Sequence, residues 1–345
     1  MAVDKIAILF LFGIFAFTEA GTKLNPVVLV PGDGGSQFQA KLNKPTTVAS
    51  YCIKKTDYYY DLWLNLEQLV PFLIDCFVDN MRLEYDNVTR TTRNSPGVDV
   101  KIPGFGGTET VEWLDHSHIS LNEMKLFFVD LQQLIERAYY TTGNQKVFLL
   151  AHSMGNPVTL YFLNHMTNAW KAKFIQSFIS LAGVWGGAAK PIRLMISAWL
   201  MPSDQFWGPD EVLVMAPTRN YTIRDYKQLF KDINYETGYM MWEDTHALIN
   251  PLKAPGVEMH CLHGVNVTTP KAFRYTNKTW HESYPETIPD DGDGTVNIRS
   301  LHGCLKFKKM QKQPIYHKEF DKAEHMQILN LKSVIDYLKK VFVKS

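Results

Sequence analysis

Residues 147–165 constrain this chain more than any other stretch. Lys146 to Leu150 has the length and apolar content of a buried strand, and it runs directly into Ala151-His152-Ser153-Met154-Gly155. A helical pattern, Val158 to His165, follows without a linker. A serine in a tight turn between strand and helix is held in a strained backbone that projects its Oγ away from the sheet. Small residues two before and two after it let neighbouring backbone pass close by, and Ala151 in the first place adds only a methyl to glycine. The small-x-Ser-x-Gly spacing alone is common by chance; the strand before and the helix after make it specific. Ser153 is therefore the candidate nucleophile.

A serine hydroxyl needs a base, and the base needs an orienting acid. In a strand–turn–helix setting of this kind the chain order is serine, then Asp or Glu, then His. Asp291-Gly292-Asp293-Gly294-Thr295-Val296 is an acid- and glycine-rich turn after a strand-like Val257–Leu262, and His325 stands before the last helical pattern. This turn and His325 supply the candidate partners. The acid turn could instead be a Ca²⁺ loop, but the ligands an EF-hand requires stop at Gly294. His302, close to Cys304, and His317, inside a strand-like run, are read as structural. Two backbone N–H groups must hold a developing oxyanion. One is expected from Met154, the other from the Gly32-Asp33-Gly34 turn that ends the Pro26–Val30 strand.

The rest of the chain alternates. A capping box, Ser120 with Glu123, opens a helical pattern that runs through Ala138. Further strands are expected at 174–181, 257–262 and 314–320, with an amphipathic helix over 325–343. Strands alternating with helices predict an α/β fold, a mostly parallel sheet with helices on both faces. The polar and aromatic stretch 199–253 is placed as a cap over the carboxyl ends of the strands, where such sheets bind ligands.

The N-terminus and the cysteines address the compartment. Lys5, the apolar run Ile6–Phe17 and Thr18-Glu19-Ala20 have the layout of a cleaved secretory signal over residues 1–20. The run is shorter than the roughly 20 residues a spanning helix needs. Four cysteines suit two disulfides in an oxidising compartment. Three pairings are possible, and Cys52 with Cys76 and Cys261 with Cys304 is preferred because each pair lies within one region of the chain. Sequons at Asn87, Asn220, Asn266 and Asn277 point to a glycoprotein surface. A net charge of +1 gives no basic field for nucleic acid.

At these residues the chain resembles the family of lysosomal phospholipase A2 (group XV) and lecithin–cholesterol acyltransferase. The resemblance is carried by Val28–Gly35 (VLVPGDGG), Cys52–Cys76 with Trp63-Leu64-Asn65-Leu66, and Val98–Gly106 (VDVKIPGFG). It continues through Ala151–Asn156 (AHSMGN), Trp185-Gly186-Gly187, Asn220–Asp225, Asp291–Asn297 (DGDGTVN) and Glu324-His325. It looks closer to the lysosomal enzyme than to the plasma one.

The resemblance implies an α/β-hydrolase over 21–345, with Ser153, Asp293 and His325 as triad, Asp33 and Met154 as oxyanion amides, and the disulfides 52–76 and 261–304. It implies calcium-independent transfer of a glycerophospholipid acyl chain to the serine, then to water or a lipid alcohol. No metal or other cofactor enters that scheme. The expected partners are phospholipid membranes or lipoproteins, the expected state a monomer, and the expected location the lysosome or the exterior. It further implies a membrane-binding subdomain over 51–81, with Trp63 and Leu64 inserted in lipid, and a cap over about 190–253. The alternative reading is a catalytically inactive lipid-binding glycoprotein or a truncated isoform.

Two departures bear on that alternative. Between Gly107 and Ser120 the family carries a further helix and a strand with a Tyr-Asp-Trp-Arg motif that this chain lacks, and the lid between Leu194 and Pro202 is short. The missing strand is expected to lie between the Val27 and Val147 strands, so that leaving it out requires the sheet to close a gap or to leave unpaired backbone groups, each costly when buried. A splice variant, an incomplete gene model or a diverged paralogue would account for both shortenings.

Overall fold

The computed structural model describes residues 24–63, 65, 68, 71, 73–106, 121–194, 198–277 and 283–343. The signal segment 1–20, Leu64, the capping box at Ser120 and the shortened stretch 107–120 lie outside the described residues. The chain divides into two compact units, one over Val27–Ala138 and one from Tyr139 onward that also takes in the residues just before Val27.

The first unit holds strands β1 (Val27–Val30), β2 (Phe38–Leu42), β3 (Tyr60–Trp63), β4 (Leu83–Asp86), β5 (Thr91–Asn94) and β6 (Val98–Lys101), and a helix over Ile74–Met81. β2 pairs antiparallel with β3 on one side and β6 on the other, and β4 with β5 forms a hairpin. Alternation along β2 sends Phe38, Ala40 and Leu42 to one face, where they meet Leu62, Trp63, Phe77 and Val98 in a buried cluster. The expectation that Trp63 inserts into lipid is thereby corrected. Its side chain is 7% exposed and its ring lies 5.8 Å from that of Phe77, because β3 turns both Leu62 and Trp63 inward. The Cys52–Cys76 disulfide ties the loop ahead of β3 to the Ile74–Met81 helix. Lys44 is buried beside that helix, pairing with Asp79 and donating to Asn80 Oδ1 at 2.8 Å. A buried ammonium persists only with such partners.

The second unit holds β7 (Val147–His152), β8 (Ile175–Leu181), β9 (Val214–Met215), β10 (Asn220–Tyr221), β11 (Met259–Val265), β12 (Thr269–Arg274), β13 (Glu286–Asp290) and β14 (Ile315–Asp321). β7, β8, β11 and β14 pair side by side, every pair parallel. All six residues of β7 are buried, as a strand covered on both faces requires. The ring of Phe342, on the final helix Lys332–Val343, meets Phe148 of β7 at 5.0 Å.

Of those two outcomes, a closed gap or unpaired backbone groups, the start of β7 shows the first. Phe148 N–H donates to the Pro26 carbonyl at 2.9 Å, and the Asn25 amide donates to the Lys146 carbonyl at 2.8 Å. Residues leading into Val27 thus occupy this edge at the start of β7, where the Phe148 N–H and the Lys146 carbonyl both have partners.

The polar and aromatic stretch 199–253 contains helices over Tyr226–Asp232 and Glu236–Thr245 and the short strands β9 and β10. Trp207, Leu213, Val214, Tyr221, Tyr226 and Phe230 are buried in a core of their own, joined by Phe273 of β12. β9 also pairs with β12, which pairs with β13. The aromatic content of this stretch is therefore an interior. Cys261 on β11 is bonded to Cys304, so both disulfides have the preferred pairing. The four sequon asparagines are all exposed. Among the described residues no helix is long and apolar enough to cross a membrane.

Candidate active site

Ser153 follows directly on β7, with φ at 51° and its N–H donating to the Leu181 carbonyl at the end of β8 at 3.0 Å. A non-glycine residue with positive φ is strained and is kept only where its surroundings demand it. Buried Asn156 fixes the turn, donating from its side chain to the carbonyls of Ser153 at 3.0 Å and Leu181 at 2.9 Å. Met154 caps the helix Gly155–His165, so its amide is among the first-turn N–H groups with no partner inside the helix.

Asp293 and His325 come from elsewhere in the same unit. β11 runs on to Val267, which bridges Asp293 in the turn after β13, and β14 runs on to His325. Gly264 is needed on this path, because a Cβ there would stand 1.7 Å from the Ala323 carbonyl oxygen. His325 Nε2 lies 2.8 Å from Ser153 Oγ, and its Nδ1 lies 2.7 Å from Asp293 Oδ2. The other Asp293 oxygen accepts from the amides of Thr295 at 3.0 Å and Val296 at 2.7 Å. Asp293 is fully buried. Burial pushes its carboxyl upward, but the His325 ring, the bond to it and the two amides outweigh that and hold it below the usual carboxylate range. Asp291 serves differently, accepting from the amides of Asn266 and Gly292, each at 2.7 Å, which shapes the turn.

The sequence reading passed over His152. Its Nε2–H donates to the His325 carbonyl at 2.9 Å, and the two rings lie 4.9 Å apart. The His325 N–H in turn donates to the Asp293 carbonyl at 2.8 Å, so the His325 backbone is held from both sides. Burial, and then the neighbouring His325 ring, push His152 down to about 3, which keeps it neutral. His152 is a positioning residue. His152→Phe should lower kcat on a soluble ester roughly 10- to 100-fold with little change in KM, and His152→Gln, which keeps a donor, should restore most of it. Equal losses in both variants would remove the hydrogen bond from this role.

Of the remaining expected site residues, Asp33 is half-buried in the turn that follows β1 in the first unit. His302 and His317 belong instead to a group with His263 and Glu319. A cavity of about 270 Å³ is lined by Trp199, Trp242 and His246 together with Trp185 and Gly186 from the loop after β8.

A serine on a strained strand-to-helix turn, hydrogen-bonded to a histidine and through it to an acid, in the chain order Ser, Asp, His and at the carboxyl ends of parallel strands, defines an α/β-hydrolase. The chain belongs to the lecithin:cholesterol acyltransferase family, whose sequence profile matches residues 58–124, 118–198 and 196–332. The match breaks at 118–124 and 196–198, next to the two shortened stretches. The Homo sapiens protein named "Lysosomal phospholipase A and acyltransferase" is 39% identical over 379 residues, covering 92% of this chain and 90% of that protein. That alignment is longer than this chain, so the relative has positions with no counterpart here. The Gallus gallus and Homo sapiens proteins named "Phosphatidylcholine-sterol acyltransferase" are 34% and 31% identical, over 88% and 94% of this chain and 87% and 86% of theirs.

Proposed function

We propose that this chain is a phospholipase A and acyltransferase working through an acyl-serine. The observation that carries the reading is the hydrogen-bonded run from Ser153 through His325 to Asp293. Ser153 Oγ attacks the acyl carbonyl while His325 Nε2 takes its proton. The amides of Met154 and Asp33 are assigned to the developing oxyanion. His325 then protonates the departing lysophospholipid, leaving the acyl group on Ser153. Water or a lipid alcohol, deprotonated by His325, displaces it. No step in this sequence requires calcium. A lysosomal or secreted location, four N-linked glycans and a cleaved signal over 1–20 belong to the same reading.

The lipid-facing surface is assigned to residues beside the first disulfide. Ile74 and Val78, on one face of their helix, are 42% and 54% exposed, and the Cys52–Cys76 bond sets Tyr51 and Ile53, 51% and 61% exposed, next to them. Ile74→Ser with Val78→Ser should reduce turnover on vesicles roughly 30-fold, from about 2 kcal/mol of lost apolar burial. The rate on a soluble ester should not move; a parallel fall there would take these side chains out of membrane contact.

The function is tested with the glycosylated protein on phosphatidylcholine vesicles containing a long-chain lipid alcohol, in the presence of a calcium chelator. Free fatty acid and acylated alcohol should form together, the second at the expense of the first as alcohol is added, and a fluorophosphonate should stop both. A protein that labels with the fluorophosphonate yet forms neither product is an esterase of another class. A folded protein that does not label is a lipid-binding relative.

A further inference from the structure

His263 on β11, His317 and Glu319 on β14, and His302 on the turn His302–Lys309 offer one ligand atom each, all within 4.8 Å of one another. Register explains the gathering. β11 and β14 pair in parallel with Cys261 opposite His317 and His263 opposite Glu319, and side chains two apart on a strand share a face. Cys261 is bonded to Cys304, which draws in His302, two residues before Cys304, just as His263 lies two after Cys261. The three imidazole rings form a triangle with centroid separations of 5.0, 5.2 and 5.5 Å.

The His263 ring presents a lone pair to the cluster, and loss or relocation of one proton each on His302 and His317 would present theirs. His263 Nδ1–H donates to the Gly264 carbonyl at 3.0 Å, which leaves Nε2 as the lone-pair nitrogen. Such a bond from the far ring nitrogen is what orients metal-ligating histidines. That Nε2 faces His317 Nε2 at 2.8 Å, and Glu319 Oε1 lies 2.7 Å from His302 Nε2 and 3.9 Å from His317 Nε2. Tetrahedral zinc with bonds of about 2.0–2.1 Å separates its ligand atoms by roughly 3.3 Å, so shifts of under about 1 Å convert these contacts into a coordination shell.

We propose that His263, His302, His317 and Glu319 bind one divalent transition-metal ion of the zinc type. Three imidazoles and one carboxylate are a donor set that suits zinc. The site shares no residue with the Ser153–His325–Asp293 group. It clamps β11, β14 and the 302–309 turn beside the disulfide that already joins two of them. His302 and Glu319 are 38% and 42% exposed at the side chain, which gives the ion a way in.

The test uses the full-length glycosylated protein, stripped with a chelator and titrated with Zn²⁺ at slightly alkaline pH, where imidazoles are neutral. One equivalent should bind, and Tm should rise by roughly 5 °C at a hundredfold excess over Kd. His302→Gln with Glu319→Gln, both at the surface and close in size, should weaken binding at least about 100-fold while leaving ester turnover intact. Co²⁺ bound to the wild type should give a tetrahedral visible spectrum, and X-ray absorption of the Zn²⁺ form should show a nitrogen and oxygen shell with imidazole scattering. These two readouts do not depend on how the variant folds. No saturable binding by the wild type, an octahedral Co²⁺ spectrum, or equal binding by the double variant would overturn the proposal, leaving a hydrogen-bonded histidine cluster or an ion held elsewhere.

Discussion

Ser153→Ala should reduce kcat for acyl release by on the order of 10⁶-fold, equivalent to about 8 kcal/mol of transition-state stabilisation. The size follows from what Ser153 Oγ does in the proposed scheme. Without it there is no covalent intermediate, and the proton that His325 Nε2 is placed to accept at 2.8 Å is gone. The remaining rate is that of water attacking an acyl group held against the oxyanion amides. Fluorophosphonate labelling should vanish together with turnover, both hydrolysis and transfer falling by the same factor because they share the acyl-serine. The fold should persist. Alanine adopts a φ of 51° at about the cost serine does, and Asn156 still ties the turn to the end of β8. A thermal midpoint within a few degrees of wild type accompanies the loss if the reading is right. A variant that keeps even a hundredth of its activity would move the nucleophile elsewhere.

Ser153 was legible in the sequence because its signal is local. Strand, tight turn and helix are adjacent in the chain, and their geometry alone strains the backbone. Its partners were less so. Asp291 and Asp293 stand two apart in one turn, and nothing local says which carboxylate faces the histidine; only the folded turn commits Asp291 to Asn266 and Gly292, and Asp293 to His325. His152 was missed because its partner is a backbone carbonyl 173 residues away, which no pattern reports. Trp63 was misjudged for a related reason. A run of aromatics has the same composition whether it faces lipid or a core, and here the inward turn of β3 decides for the core. The elements within 199–253 were illegible for a like reason, since its apolar residues meet one another across short elements whose periods are too brief to register. The histidine cluster did leave a trace. Cys261-Leu262-His263 and His302-Gly303-Cys304 place a histidine two residues from each cysteine, so the preferred disulfide already brings two of the rings together.

Asp293→Asn should lower kcat/KM by about 10⁴-fold with the fold retained. The amide can keep an oxygen toward the Thr295 and Val296 N–H groups, which lie 3.0 and 2.7 Å from Oδ1. Its NH₂ then faces His325 Nδ1, where the carboxylate accepted at 2.7 Å. Two donors cannot share that contact, so the ring turns its proton to Nε2, and Nε2–H cannot take the proton of Ser153. The variant therefore keeps every residue in place and loses the tautomer. The same substitution changes the response to acid in a direction the geometry fixes. In the folded protein the Asp293 carboxyl lies below the usual carboxylate range. Its charge thus contributes stability that is complete above the ordinary Asp value and is lost as pH falls through the depressed one. Asparagine has no such charge, so the fall in Tm on acidification should be shallower in the variant than in the wild type, while at neutral pH the variant should be the less stable of the two. Turnover of a soluble ester, fluorophosphonate labelling rate and Tm against pH separate these effects. A loss of activity below about tenfold would mean that the serine–histidine pair works without an orienting acid, and the assignment of Asp293 to that role would fall.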